Sequence, residues 1–401
     1  MGRLALVALL SGWALAGCTP DEPVTRLATP AAPGSSLPRL TRGDATVVLS
    51  WVEPADGGHA LRYATLSGTG WSAAHTVVTG SNWLVNWADF PSVVPVTGSF
   101  WAAHWLVRHG DSAFAYDIMT SVSVDGGKAW HAPEMLNDDG TATEHGFVSL
   151  FPAKSSEPPQ AGVVWLDGRN TVAGGDGMTL RSATLDAAGR VHAPALVDDL
   201  VCDCCQTDVA TAATGPVVAY RNRTADEIRD IYIARLDDGW AAGRPVADDG
   251  WEIDGCPVNG PAIAAHEGHA AVAWYTGAGS RPRILVAFSE DSAANFAPPI
   301  EVADGPVMGR VDVVLLDDAA AAVSWLGNVR TDDGVRAEVR VRRIRADGSV
   351  GAVRTIARTG AGRPAGFPQM LRVGQLLLFA WTDTVQQESR VLTAHLSLGA
   401  L

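Results

Sequence analysis

The chain is short of charge. Asp, Glu, Lys and Arg make up only 18% of its 401 residues, and the basic groups are the scarcer kind, 30 against 44. A net charge of −14 excludes recognition of nucleic-acid backbones or anionic lipid surfaces, which require basic patches. Cysteine is scarce, with five residues. Only one apolar run is long, and it lies at the N-terminus; no other could cross a bilayer. No stretch sustains a helical 3.6-residue period, which excludes a helical bundle. Glycine is plentiful, at 42 residues. Low charge, abundant glycine and 47% hydrophobic residues suit a large, turn-rich all-β protein.

A repeat organises that β structure. Apolar runs ending in an aromatic recur at Trp51, Trp105, Trp165, Tyr220, Trp274, Trp325 and Trp381, roughly 50–60 residues apart. Each follows a short strand-like run (PSVVP, FVSLFP, PAIAA, DVVLL, FPQML) and precedes one with alternating polarity (LRYATL, MTLRSATL, RILVAFS, EVRVRRI). A weaker fourth run usually follows. Repeated four-stranded units of this length predict the blades of a single β-propeller. Seven blades are favoured, with six as the alternative. The last unit lacks a fourth strand, and Pro23–Thr29 could supply it and close the ring, leaving no open edge.

The N-terminus reads MGRLALVALLSGWALAGCTPDEP. One arginine and about a dozen apolar residues ending in small ones form an export-signal pattern. Leu15-Ala16-Gly17-Cys18 resembles the bacterial lipobox. The resemblance implies a signal peptide over 1–17, lipidation of Cys18, and an anchored lipoprotein. Thr19 after the cysteine resembles the export pattern of outer-membrane lipoproteins. Residues 18–37, rich in Pro, Ala and Ser, read as a flexible tether, and 38–401 as the propeller. The membrane is expected as a partner only through the lipid.

Ser123, Asp125, Gly127 and Trp130 stand in the order S-x-D-x-G-x-x-W. This resembles the Asp box of the sialidase-like (BNR-repeat) propellers. Ser289, Asp291 and Phe296 form a decayed copy with Ala293 in place of glycine; Thr184 and Asp186 form another. In that family the box is a turn device, not a catalytic one. An Asp carboxylate accepts turn amides, and Gly permits positive φ.

In such a fold the loops leading into each inner strand ring one mouth of the channel. Those loops carry NWADFP, EHGFVSLFP, CDCCQTD, CPVNGP, MGRVD and GRPAGFPQ. His145, Asp167, Arg169, Arg221, Asn259, Arg310 and Asp312 are therefore candidates for lining a ligand pocket. Arginine forks carboxylates, and aromatic faces stack on sugars. The family resemblance implies three arginines, a Tyr–Glu pair and an Asp acid if the chain is a sialidase. The Arg-Ile-Pro motif expected in the first blade is missing; only Leu37-Pro38-Arg39-Leu40 lies nearby. Arg169, Arg221 and Arg310 match clamp positions in the repeat, while Tyr220 reads as core. Asp167–Arg169 also reads as a turn ion pair, Asn259 as a turn residue, and His145 as structural.

Cys202, Cys204 and Cys205 lead into the fourth unit and Cys256 into the fifth. Export favours disulfides, so one of the three is expected to reach Cys256 and the other two to pair. The alternative is a soft-metal site, with His145 as a further ligand; C-x-C-C is not a standard zinc spacing. No cofactor is otherwise expected. The sequence thus favours an exported lipoprotein propeller that binds a glycan or other small polar ligand. An exo-sialidase-like glycosidase is the alternative, and a thiol-ligated metal protein the second alternative.

Overall fold

A computed structural model describes residues 24–68, 70–110, 112, 114–153, 158–172, 174–332, 334–385 and 388–401. The proposed signal peptide and Cys18 lie outside the described residues. Seven antiparallel sheets follow one another. The inner strands, each opening its blade, are Ser36–Arg42, Ser92–Pro95, His145–Pro152, Asp208–Ala212, Ala262–His266, Val307–Asp317 and Gln369–Val373. We number the blades 1 to 7 in that order. Helix among the described residues is confined to Arg169–Val172 and three short 3-10 turns.

The ring closes between the two ends of the chain. Thr25–Leu27 pairs antiparallel with Arg390–Ser397 as the fourth strand of blade 7, Thr25 opposite His395 and Leu27 opposite Thr393. Arg26 lays its guanidinium 4.4 Å from the ring centre of Trp381. The propeller therefore begins ahead of Pro38, inside the segment expected to be tether. Pairing removes the open edge that blade 7 would otherwise present.

The recurrent aromatics explain why the sheets assemble. All seven sit in the second strand of their blades, and each is at most 2% exposed. The core falls into seven clusters, one at each interface between neighbouring blades. Each aromatic packs toward the preceding blade: Trp105 on blade 1, Trp165 on blade 2, and Trp51 on blade 7 across the closure. Truncating such a side chain to alanine costs about 3–5 kcal/mol. The roughly 50-residue period is thus the spacing of interface wedges.

The turn at Ser123–Trp130 is held as its residues predict. Ser123 Oγ donates to Asp125 Oδ1 (2.8 Å) and accepts from Gly127 N, while Ala129 N donates to Asp125 Oδ1. Blade 5 repeats these bonds with Ser289, Asp291, Ala293 and Asn295. Ala293 there adopts φ 60°, where blade 2 has glycine.

Candidate functional site

The loops leading into the inner strands ring one mouth, here called the leading mouth. Its backbone is strained. Leu37, Phe147, Val258 and Arg310 all have positive φ between 47° and 56°. In blades 1, 3 and 6 the inner strand slips register at this point. Left-handed backbone at bulky residues costs about 1–3 kcal/mol each and tends to gather at functional sites.

Two clusters of ionisable groups meet at the start of blade 3, where Glu144 and His145 are neighbours. His145 is fully buried. Its Nδ1 lies 3.0 Å from Tyr116 O, and its Nε2 3.1 Å from Asp139 Oδ1 and 3.9 Å from Asp167 Oδ1. Asp167, also fully buried, accepts from Trp165 Nε1 (2.8 Å) and from Arg169 Nε (2.7 Å) and Nη2 (2.8 Å). Arg169 further pairs with Asp138 and Asp139. Burial would raise the Asp139 carboxyl, but its bond from Thr141 and the charges of His145 and Arg169 outweigh that and hold it low.

The second cluster is Asp89, Tyr116 and Glu144, beside Cys204. Asp89 is 1% exposed; its Oδ2 accepts from Phe147 N (2.8 Å), and its Oδ1 has no partner. Burial pushes its carboxyl to about 7, partly offset by the Phe147 amide and reinforced by Glu144. Burial and Asp203 raise Glu144 to about 7 as well. Tyr116 OH donates to Glu144 Oε1 at 3.5 Å. Burial, with Asp89 and Glu144 nearby, keeps that phenol protonated far above its ordinary range. Gly146 is required here: a Cβ would lie 2.1 Å from Asp89 Oδ2.

The channel is narrow at this end. Trp87 stacks on Phe367 (5.9 Å), with Arg310 lying 4.6 Å from the Trp87 ring centre. Gln206 bridges Ala88 O and Gly260 N. The space beneath, lined by Arg39, Asp89, Phe147 and Gln206, is about 10 Å³, room for about one water. Larger recesses lie elsewhere. One of about 490 Å³ opens at the opposite, trailing mouth among Arg42, His266, Asp317 and Arg372, and one of about 510 Å³ lies at the seam of blades 7 and 1.

The expected pocket residues do not converge on one cavity. Arg221, 1% exposed, donates to the carbonyls of Asn259, Arg229 and Tyr275 and packs on Trp251. Its donors join blades 4 and 5 rather than face a ligand. Asn259 takes Arg310 N and donates to Met308 O. Arg310 donates to Gly366 O, and burial lowers it to about 10. Asp312 accepts from Met370 N and Val313 N, with burial raising it to about 7. Tyr220 is core and donates to Asp198. Asp89, Tyr116 and Glu144 were missed as a group. NWADFP and EHGF both lie in leading loops, so two of them had a signal; Tyr116, starting the third strand of blade 2, had none.

The cysteines differ from expectation. Cys202, Cys204, Cys205 and Cys256 are all free, so the expected bridges do not form. Cys256 is exposed, whereas Cys202 and Cys205 are buried. The Cys202 and Cys205 sulfurs stand 2.8 Å apart. His145 does not join them, because both ring nitrogens face oxygens of its own cluster.

No protein-family profile and no curated protein matches the sequence. Solved structures do. An ulvan lyase, from a new family of polysaccharide lyases, matches with a TM-score of 0.57 at 11% identity, over 91% of this chain and 95% of that one. A leech intramolecular trans-sialidase matches at 0.48 and 11% identity, over 88% and 83%. A NanB sialidase variant from Streptococcus pneumoniae matches at 0.45 and 10%, over 94% and 95%. The seven sheets make the chain a seven-bladed propeller, and the lyase shares its overall fold. At such identities the likeness concerns the fold, and function must be argued from the site.

Proposed function

We propose that this chain is a receptor for a glycan or similarly polar ligand, bound without turnover across the leading mouth. The observation that carries the reading is the gathering there of strained backbone, the half-exposed Trp87 ring and the Glu144 carboxyl raised to about 7. A carboxyl near its midpoint both donates to and accepts from hydroxyls, and the exposed part of the indole adds apolar contact. A Tyr–Glu nucleophile pair is disfavoured. The Tyr116 phenol is 2% exposed and held protonated, whereas a nucleophile needs access and an activating base. The same reading takes the chain as exported and held to the outer membrane by lipid on Cys18.

Glycan-array binding followed by titration tests the reading. Trp87→Ala and Glu144→Gln should weaken binding, while His266→Ala at the trailing mouth should not. The reverse pattern would move the site to the 490 Å³ recess. Product released from fluorogenic sialosides or a glycoside panel would make the chain an enzyme instead. Mass spectrometry of the mature N-terminus tests lipidation.

A further inference from the structure

The loop joining blades 3 and 4 carries an arrangement that the ligand reading does not use. Cys202, Cys204 and Cys205 each present a sulfur, and the three lie within 4.8 Å of one another. The loop is pinned. Cys202 N donates to Arg221 O (3.0 Å), and Asp203 turns away to accept from Met178 N (3.0 Å) and Arg223 Nη1 (3.1 Å). Cys204 is half-buried between its two buried neighbours.

We propose that these three sulfurs form a site for one soft monovalent cation, Cu(I). The donor set is all sulfur: among the described residues no imidazole or carboxylate joins the group. Thiolates select soft ions such as Cu(I) or Zn over hard ones. The number of donors favours Cu(I) over a structural zinc. A structural zinc takes four protein ligands, and the remaining described cysteine, Cys256, is exposed and outside the group. Three sulfurs complete a trigonal Cu(I) shell.

Charge points the same way. Three thiolates and one monovalent cation leave two negative charges in a buried loop. Two buried guanidiniums stand beside them. Arg229 Nη1 lies 3.6 Å from Cys202 Sγ, and Arg221 Nη1 donates to Arg229 O (2.6 Å). Arg229 is shared with Glu227, which accepts from its Nε and Nη2. A metal at about 2.3 Å from each sulfur sets neighbouring sulfurs about 4 Å apart in a plane. The 2.8 Å pair therefore opens by about 1 Å, within reach of side-chain rotation. Loading exchanges three S–H protons, lost to solvent, for three S–Cu bonds, with no change of oxidation state.

The test is an anaerobic titration of the reduced full-length protein with Cu(I) against a chromogenic Cu(I) chelator. X-ray absorption then reads the ligand shell. One ion per chain in a three-sulfur shell is expected. Cys202→Ser, Cys204→Ser and Cys205→Ser should each weaken binding by more than the roughly 10- to 100-fold that loss of an outer partner costs. Cys256→Ser should bind as the wild type does, and thermal melts confirm that each variant is folded. Retention of Cu(I) by the triple serine variant would overturn the proposal. So would preference for Zn over Cu(I), or failure of wild-type protein to compete with the chelator. A mature protein isolated with Cys202 and Cys205 already bonded would overturn it as well. The metal assay reads independently of glycan binding, so either proposal can fail alone.

Discussion

Glu144 and His145 are consecutive residues that face clusters treating buried charge in opposite ways. On the His145 side, three carboxylates, an imidazole and the Arg169 fork share donors and acceptors, so charge is matched by charge. On the Glu144 side, Asp89 and Glu144 have no cation among their bonds, and both carboxyls rise to about 7. The first arrangement has the character of a structural joint: Arg169 bridges Asp139 and Asp167. The second keeps protons available near neutrality, the property on which the proposed ligand reading rests. The contrast shows that burial shifts a carboxyl far only where no cation compensates it.

Removing the compensation should have the largest effect. Arg169→Met takes the bridging cation from Asp139 and Asp167, leaving Asp167 only the Arg181 guanidinium at 3.9 Å, and should cost about 4 kcal/mol in urea unfolding. Asp89→Asn works in the other direction. The folded Asp89 carboxyl titrates above its unfolded value, so the stability it contributes is full below about pH 4 and is lost as pH rises through about 7. The amide removes that loss. It keeps an oxygen for Phe147 N and sets its NH₂ where Oδ1 has no partner. We expect Asp89→Asn to be about 2 kcal/mol more stable than wild type at pH 8, with little difference at pH 4. Unfolding curves at the two pH values check this.

Glu144→Gln should show the same sign more weakly, about 1 kcal/mol at pH 8, because the group is partly exposed and solvent screens it. Paired melts at pH 5 and pH 8 would show it. A flat response in both variants would erase the contrast between the clusters. The smallest change calibrates strain without charge. Ala293→Gly relieves a φ of 60° in the blade 5 turn and should stabilise by a few tenths of a kcal/mol, net of the unfolded-state entropy glycine adds. Differential scanning calorimetry resolves such a shift.

Much of the fold was legible because its determinant is periodic. One large aromatic per interface, always in the second strand, writes the blade count into the chain. The missing fourth strand of the last unit pointed to residues 23–29, and Thr25–Leu27 is that strand. The site was less legible. Arg221 has the residue type and position of a ligand clamp, yet its acceptors are backbone carbonyls of the neighbouring blade. Nothing local in a sequence says which carbonyls a guanidinium will meet. Similarly, Asp89 and Glu144 are 55 positions apart and become neighbours only when blades 2 and 3 dock. The cysteines were placed in the right loop, but which sulfurs face one another depends on side-chain directions that spacing does not encode.

The clasp of blade 7 joins residues about 366 positions apart, as in the Thr393–Leu27 bond. Ribosomes release the N-terminal partner first and the C-terminal partner last. Thr25–Leu27 must therefore wait, unpaired, until Arg390–Ser397 has been made, and the ring cannot lock before then. Closing so long a loop is entropically slow, so the interval after Arg390–Ser397 emerges decides whether blade 7 finds its own fourth strand or another chain's.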